Sequence, residues 1–364
     1  MRTVLPVADD DPRRQAVRAW LTEHPEPTPR DLVDAGLAAP HWPAPWGQDA
    51  DAATQLIVED ELQRAGVSVP LNPNGTAYTG PSLLLGGTPE QQARYLPPLL
   101  SGDEMWCRLY SEPDVGSDLS GIRTRAERRG DVFVVNGWKL WAPLAHAAAL
   151  GGLLVRTSGD PGDRHGLSYL VCPMDLPGLT VRRVRDLAGG YRFNELTFDN
   201  VEIPVANLVG GLDEGLAVAE ARPHFERVTT ATGAAFGNGP NARDFARYCA
   251  ENVEVDPLVR PRLVDTYLDG EVLRMMAISI ADAQALGKST TVTERARKIL
   301  LERHGKALGV LACDVLGSGG MLVPEQGTPA QLWHNMFLSG PTITIGAGTT
   351  EIQLEELGTE LLGC

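Results

Sequence analysis

The chain has 364 residues, 43% of them hydrophobic, and its 47 acidic against 32 basic side chains give a formal charge of −15. That length holds two or three compact domains with sizeable cores, and the apolar content excludes a disordered chain. The negative balance argues against nonspecific binding to nucleic acid or to an anionic membrane as the main activity. No apolar run approaches the ~20 residues that span a bilayer. The opening Met1-Arg2-Thr3-Val4-Leu5-Pro6, followed by Asp9-Asp10-Asp11, lacks the apolar segment of a secretory signal, so a cytoplasmic location is expected.

Helical signals run from Pro12 to about Asp103. Asp10 or Asp11 caps a first helix, and Thr28-Pro29-Arg30-Asp31 starts a second. His41-Trp42-Pro43-Ala44-Pro45-Trp46-Gly47 is a connector, since its prolines forbid a helix. Ala52 to Ala65 carries an apolar stripe at Leu56, Ile57, Leu62 and Ala65. Thr88-Pro89-Glu90 opens another helix, which stops at Pro97-Pro98 or continues to Ser101-Gly102.

The character changes at Trp106. Trp106 to Ser111 alternates large and polar residues like a half-buried strand, and Pro113 and Gly116 end it in a tight turn, Ser111-Glu112-Pro113-Asp114-Val115-Gly116-Ser117-Asp118. Main-chain N–H groups and the Ser111 and Ser117 hydroxyls can seat a planar, hydrogen-bonding ligand there. Further short strands are predicted at Val132–Val135, Ala149–Val155, Leu167–Cys172, Leu179–Val184 and Asn194–Phe198. The helical period returns from Glu214, with candidates at Ala217–Gly237, Ala242–Glu251, Pro257–Leu286, Val292–Leu316 and from Thr350 onward. Helices, then strands, then helices point to α+β segregation. Five cysteines (Cys107, Cys172, Cys249, Cys313, Cys364) lie scattered without a C-x-x-C pair, which fits reduced thiols. Seven histidines show no ligand spacing, so no metal site is assigned.

The Ser111–Asp118 turn, the later strand Gly137-Trp138-Lys139-Leu140-Trp141, Gly87-Thr88-Pro89-Glu90-Gln91, Phe193-Asn194-Glu195 with Val201-Glu202-Ile203-Pro204, and Gly348-Thr349-Thr350-Glu351-Ile352-Gln353 occur in order. Together they resemble the acyl-CoA dehydrogenase family. The resemblance implies an N-terminal helical domain (1–104), a middle antiparallel β-barrel domain (105–210) and a C-terminal helical bundle (211–364). It also implies FAD, an acyl-CoA or acyl-carrier thioester as substrate, and a homo-oligomer or a hetero-oligomer with a homologous subunit. Tyr110, Ser111 and Trp141 stand where the family holds the flavin ring. Thr349 and Glu351 belong to its C-terminal cofactor motif, and Ser117 stands near the thioester.

Removing an α-proton needs a carboxylate. Many members carry it one position before the C-terminal Gly-Thr, but here that position is Ala347. A subset places it on the first helix of the C-terminal bundle, and Glu226 in Phe225-Glu226-Arg227 stands at that position. The expected reaction is therefore dehydrogenation of acyl-CoA to enoyl-CoA with Glu226 as base. Pro143 stands where the family offers a Thr or Ser to the flavin, and Asp314 lies where an acid is adverse to a pyrophosphate. These two residues leave an alternative open: a flavin-free homologue acting as a partner subunit or in non-redox thioester chemistry.

Overall fold

The computed structural model describes residues 8–70, 72, 74–220, 241–285, 288–346 and 348–363. These divide into two compact units: the residues up to 220 other than 187–190, and residues 187–190 with those from 241 onward.

In the first unit, α1 (Pro12–Glu23), α2 (Pro29–Asp34) and α3 (Ala52–Arg64) precede a π-helical turn (Gly75–Thr79), α4 (Gly80–Gly86) and α5 (Pro89–Ser101). The caps are those the sequence advertises: Asp11 accepts from Arg13 N, and Thr28 and Thr88 form capping boxes with Asp31 and Gln91. Of the two endings foreseen for α5, the longer one holds. The helix runs through Pro97 and Pro98 to a left-handed Gly102. Each proline deletes a ladder donor at a cost of about 3 kcal/mol. Leu96, Leu99 and Leu100 are buried on that turn, each contributing roughly 1.5–3 kcal/mol.

The strands β1 (Trp106–Leu109), β2 (Arg125–Arg129), β3 (Val132–Pro143), β4 (Leu150–Arg156), β5 (Leu167–Pro173), β6 (Leu179–Val184), β7 (Phe193–Pro204) and β8 (Leu208–Val209) form one sheet, followed by α6 (Gly215–Ala219). Its order is β6-β7-β3-β2-β4-β5-β8, with β1 also paired to β4. Most pairs are antiparallel, as expected, but β1 runs parallel to β4, and Arg125 of β2 also makes a parallel pairing with Arg156 of β4. Strand alternation fixes which face a side chain takes and is silent on neighbour direction, so the sequence pattern did not reveal these pairings.

Every residue of β4 is buried, because both faces of the sheet are covered. On one face Leu150, Leu154, Tyr169 and Val171 join Trp42, Leu83, Leu96 and Leu99 of the helical segment in a single core. On the other, Leu153, Val155, Leu170, Leu196, Val201 and Ile203 pack together. Asn72 ties the helical segment to the sheet. It donates to Leu99 O (3.0 Å) and Glu104 O (3.1 Å) and accepts from Gly75 N (3.2 Å) and Trp106 N (3.3 Å).

The second unit contains α7 (Ala242–Asn252), α8 (Arg260–Ala285), α9 (Thr291–Leu316), α10 (Pro329–Ser339) and α11 (Thr350–Leu362). Phe245, Cys249, Leu308, Leu311, Ala312 and Trp333 form its core. No helix among the described residues is long and apolar enough to cross a membrane.

Candidate active site

The turn after β1 is hung from one buried ion pair. Glu112 is buried, and Lys139, on the inward face of β3, is 0% exposed. Lys139 Nζ donates to Glu112 Oε1 (2.8 Å) and to Tyr110 O (2.8 Å). The same carboxylate accepts from Arg123 N (2.8 Å) and Thr124 N (2.9 Å). Glu112 and Val115 exchange main-chain hydrogen bonds across the turn, and Leu140 N donates to Ser111 O (2.9 Å). Burial alone would raise the Glu112 carboxyl, but Lys139 and the main-chain donors outweigh it and hold it below the usual carboxylate range. Burial pushes the Lys139 ammonium down to about 8 against the pull of Glu112. The sequence reading gave neither residue a role. The available signal was a lysine set among Trp138, Leu140 and Trp141 at an inward strand position.

One residue beyond Leu140, β3 bulges against β7 between Lys139 and Ala142. Trp141 sits at that bulge with φ 59°; the residue is 53% exposed, and its ring is edge-on to Phe193 at 6.0 Å. A bulky residue in left-handed space is a backbone outlier that its surroundings must enforce. Asn194 provides part of that enforcement, since its Nδ2 donates to Ala142 O at 2.9 Å. Pro143 follows; its carbonyl accepts from Asn74 Nδ2 at 3.4 Å, and its ring nitrogen offers no donor.

The structure therefore brings Ser111 and Trp141 together through the main chain of Leu140. Tyr110 is placed differently from a surface ligand. Its ring is buried, edge-on to Tyr169 at 6.1 Å, with the Arg108 guanidinium 5.5 Å from its centre. Tyr169 needs Gly152 opposite, because a Cβ there would stand 2.0 Å from the phenol oxygen. Ser117 lies on the exposed part of the turn, just before Asp118, which caps Ser120 N at 2.9 Å. Cys107 and Cys172 are packed in the sheet core, and burial raises both thiols, Cys172 to about 12.

Thr349 and Glu351 belong to the second unit. Thr349 caps α11 by accepting from Ile352 N, and Glu351 is exposed in its first turn. Lys298 on α9 donates to Gly348 O (2.8 Å) and Ile343 O (3.3 Å) and pairs with the buried Glu302. Glu302 in turn accepts from Thr350 Oγ1 at 2.5 Å. This support of the Gly348–Thr350 turn was also missed, since its partners lie about fifty residues away in sequence. Asp314, the acid flagged as adverse, is paired with Arg262 at 2.7 Å. Glu226 and Ala347 lie outside the described residues.

The family models for the acyl-CoA dehydrogenase N-terminal, middle and C-terminal domains match residues 5–103, 107–201 and 213–362. Acyl-CoA dehydrogenase FadE34 of Mycobacterium tuberculosis is 34% identical over 332 residues, 91% of this chain; the chain spans only 45% of that relative's length. Acyl-CoA dehydrogenase IpdE1 of the same organism is 32% identical over 334 residues, 91% of this chain and 86% of the relative. Among solved structures, a Tcur3481-Tcur3483 steroid ACAD superposes with a TM-score of 0.79 at 26% identity, covering 96% of each chain. The ChsE4-ChsE5 complex from Mycobacterium tuberculosis gives 0.77 at 25% identity, over 100% of this chain and 99% of the other. With the pinned Ser-Glu-Pro turn, the bulged tryptophan strand and all three domain models in order, the chain belongs to the acyl-CoA dehydrogenase family, a family of FAD-dependent oxidoreductases.

Proposed function

We propose that this protein catalyses flavin-dependent α,β-dehydrogenation of an acyl thioester, acyl-CoA to enoyl-CoA, with Glu226 as the base. The observation that carries the reading is Trp141, a large aromatic residue held at positive φ and half exposed to solvent beside the Ser111 turn. Such strain costs on the order of 1–3 kcal/mol and is characteristic of sites where a side chain must be presented.

The residues present fit a flavin ring: an open aromatic face, and a half-buried Ser111 at a strand end whose main chain is fixed by Leu140. FAD, when bound, supplies acceptance of the β-hydride. Trp141, Ser111 and Tyr110 are the residues that would hold the flavin ring. Thr349 and Glu351, in the second unit, belong to the family's C-terminal cofactor motif and would contribute to holding FAD, on a turn that Lys298 and Glu302 keep in place. Ser117 seats the thioester or its pantetheine arm. Glu226 takes the α-proton, which Ala347 has no group to accept. The three-part division at 1–104, 105–210 and 211–364 is part of this proposal.

The steroid ACAD likeness supports a bulky polycyclic acyl group as the first substrate to try beside straight chains. The ChsE4-ChsE5 likeness, together with exposed Val264, Leu268, Val272 and Met275 along α8, supports an assembly with a second copy or a homologous subunit. A second reading, a flavin-free homologue serving as a partner subunit or in non-redox thioester chemistry, is favoured by Pro143 alone, which gives the cofactor no donor.

Absorbance spectra of the protein purified alone, after soaking in FAD, and with any copurifying partner test the proposal, each sample then being assayed with straight-chain and polycyclic acyl-CoA and a dye acceptor. A flavin band with substrate-dependent bleaching is expected. Absence of the band from every sample leaves the flavin-free reading.

A further inference from the structure

Arg156, the last residue of β4, is 0% exposed, yet none of its five hydrogen bonds goes to a carboxylate. Nε donates to Ile122 O (2.9 Å), Nη2 to Ser120 O (2.5 Å) and Asp163 O (3.1 Å), and Nη1 to Ser158 O (3.2 Å) and His165 O (3.1 Å). Every N–H of the guanidinium is used, and every acceptor is a main-chain carbonyl. A buried cation without a paired anion is costly, and a planar five-donor fork is the one side chain that can hold this many carbonyls at once.

The carbonyls come from two segments. One is the stretch just after Ser117, where Asp118 caps Ser120 and Gly162 N also donates to Ser120 O at 2.9 Å. The other is the loop 158–165. The Arg156 main chain extends the same hold, donating to Thr124 O at 2.8 Å, while Thr124 N reaches back to Glu112. The Ser111–Thr124 excursion is thus held at one end by Lys139 through Glu112 and at the other by Arg156. Ser117 stands on the exposed arc between the two holds.

We propose that Arg156 is a positioning residue for substrate: it hangs the Ser117–Ile122 rim from β4, and so keeps Ser117 in place for the thioester's carrier arm. This rests on the acyl-thioester reading above and deepens it. A positioning role outside the flavin-facing strand acts on substrate capture more than on the chemical step, so the effect belongs in KM.

Arg156→Gln and Arg156→Lys test it, with two independent readouts. Amide hydrogen exchange over residues 116–123, with tryptic cleavage after Arg123, is expected to quicken about tenfold or more in Arg156→Gln and less in Arg156→Lys. Exchange over residues 150–154 and 168–172 should remain as in the parent. With acyl-CoA, KM is expected to rise about tenfold in Arg156→Gln with kcat within about threefold, and Arg156→Lys should fall between it and the parent. Unchanged exchange over 116–123 overturns the clamp, and a loosened rim with unchanged KM overturns its role in substrate positioning. Should Arg156→Gln fail to fold, Arg156→Lys decides by the same criteria. A parent protein that turns over no acyl thioester refutes the acyl-thioester reading and the substrate role together, while hydrogen exchange still judges the clamp.

Discussion

Lys139 and Glu112 meet across 27 residues of sequence in a 2.8 Å charge-assisted hydrogen bond with the lysine wholly out of solvent. Each has further duties: Lys139 also holds Tyr110 O, and Glu112 also holds the Arg123 and Thr124 amides. Breaking such a pair from one side leaves an uncompensated buried charge, at about 3–5 kcal/mol. Lys139→Met should therefore lower unfolding free energy by that order in urea titration. Glu112→Gln should cost less, since an amide keeps one acceptor for the two N–H groups. The double variant should be more stable than the sum of the singles predicts. Strict additivity would mean that the two side chains do not act as a unit.

The same pair sets an acid limit. The folded-state Glu112 carboxyl lies below its ordinary value. Its contribution is therefore present above the unfolded carboxylate's ordinary value, near 4.5, and is lost as pH falls through the lowered folded value. The stability gap between parent and Glu112→Gln should be widest near neutrality and narrow progressively below about pH 4.5. A gap that stays constant down to pH 3 would show that the glutamate is not held ionised by Lys139.

Trp141 separates strain from binding. Trp141→Gly relieves a backbone conformation that costs on the order of 1–3 kcal/mol and removes the ring of a half-exposed residue, so the apoprotein's melting temperature should hold or rise. Its affinity for FAD should fall about tenfold, corresponding to about 1.4 kcal/mol. Trp141→Phe should fall between parent and Trp141→Gly. Fluorescence titration of apoprotein with FAD measures this, and equal affinity in all three proteins would remove Trp141 from the cofactor site.

Exposed Val264, Leu268, Val272 and Met275 follow one another at helical spacing along α8. If a second copy or homologous subunit covers them, a charge in the middle of the row is unfavourable. Leu268→Glu should shift the mass seen by light scattering toward the single chain, with the helical circular-dichroism signal retained. An unaltered mass would place the assembly surface elsewhere.

The parts of the fold that rest on local rules were legible in the sequence. Thr28 and Thr88 lie at helix starts because a short polar side chain can satisfy main-chain N–H groups left unpaired there. The strands from Leu150 to Val184 follow runs of β-branched and apolar residues between turn formers. The supports of the candidate site in the first unit, and of the Gly348 turn in the second, were not legible, because each is a long-range match. Lys139 with Glu112, Arg156 with Ser120 and Ile122, and Lys298 with Gly348 join residues that no periodicity links. The parallel neighbours β1 and β4 were hidden for the same reason. Tyr110 lies just past β1, where strand alternation turns its ring into the core beside Tyr169, so it is the main chain of that residue that borders the Ser111 turn.

The last prediction concerns the proton. The α-hydrogen of a thioester is weakly acidic, so its removal needs a carboxylate placed against the substrate and desolvated as substrate enters. Position 347 carries alanine, which has no group to accept a proton, and Glu226 stands at the alternative position in sequence. Glu226→Gln keeps size and hydrogen-bonding capacity and removes only proton acceptance. Loss of a positioned general base lowers rate by ~10²–10⁴-fold. Turnover of acyl-CoA should fall by that order while acyl-CoA binding and the flavin spectrum persist. Ala347→Glu in the Glu226→Gln background should restore part of the rate, because a carboxylate then returns at the position used by many relatives. Measurement under single-turnover conditions isolates the chemical step from product release. A Glu226→Gln protein that reduces its flavin as fast as the parent would assign the proton to another group.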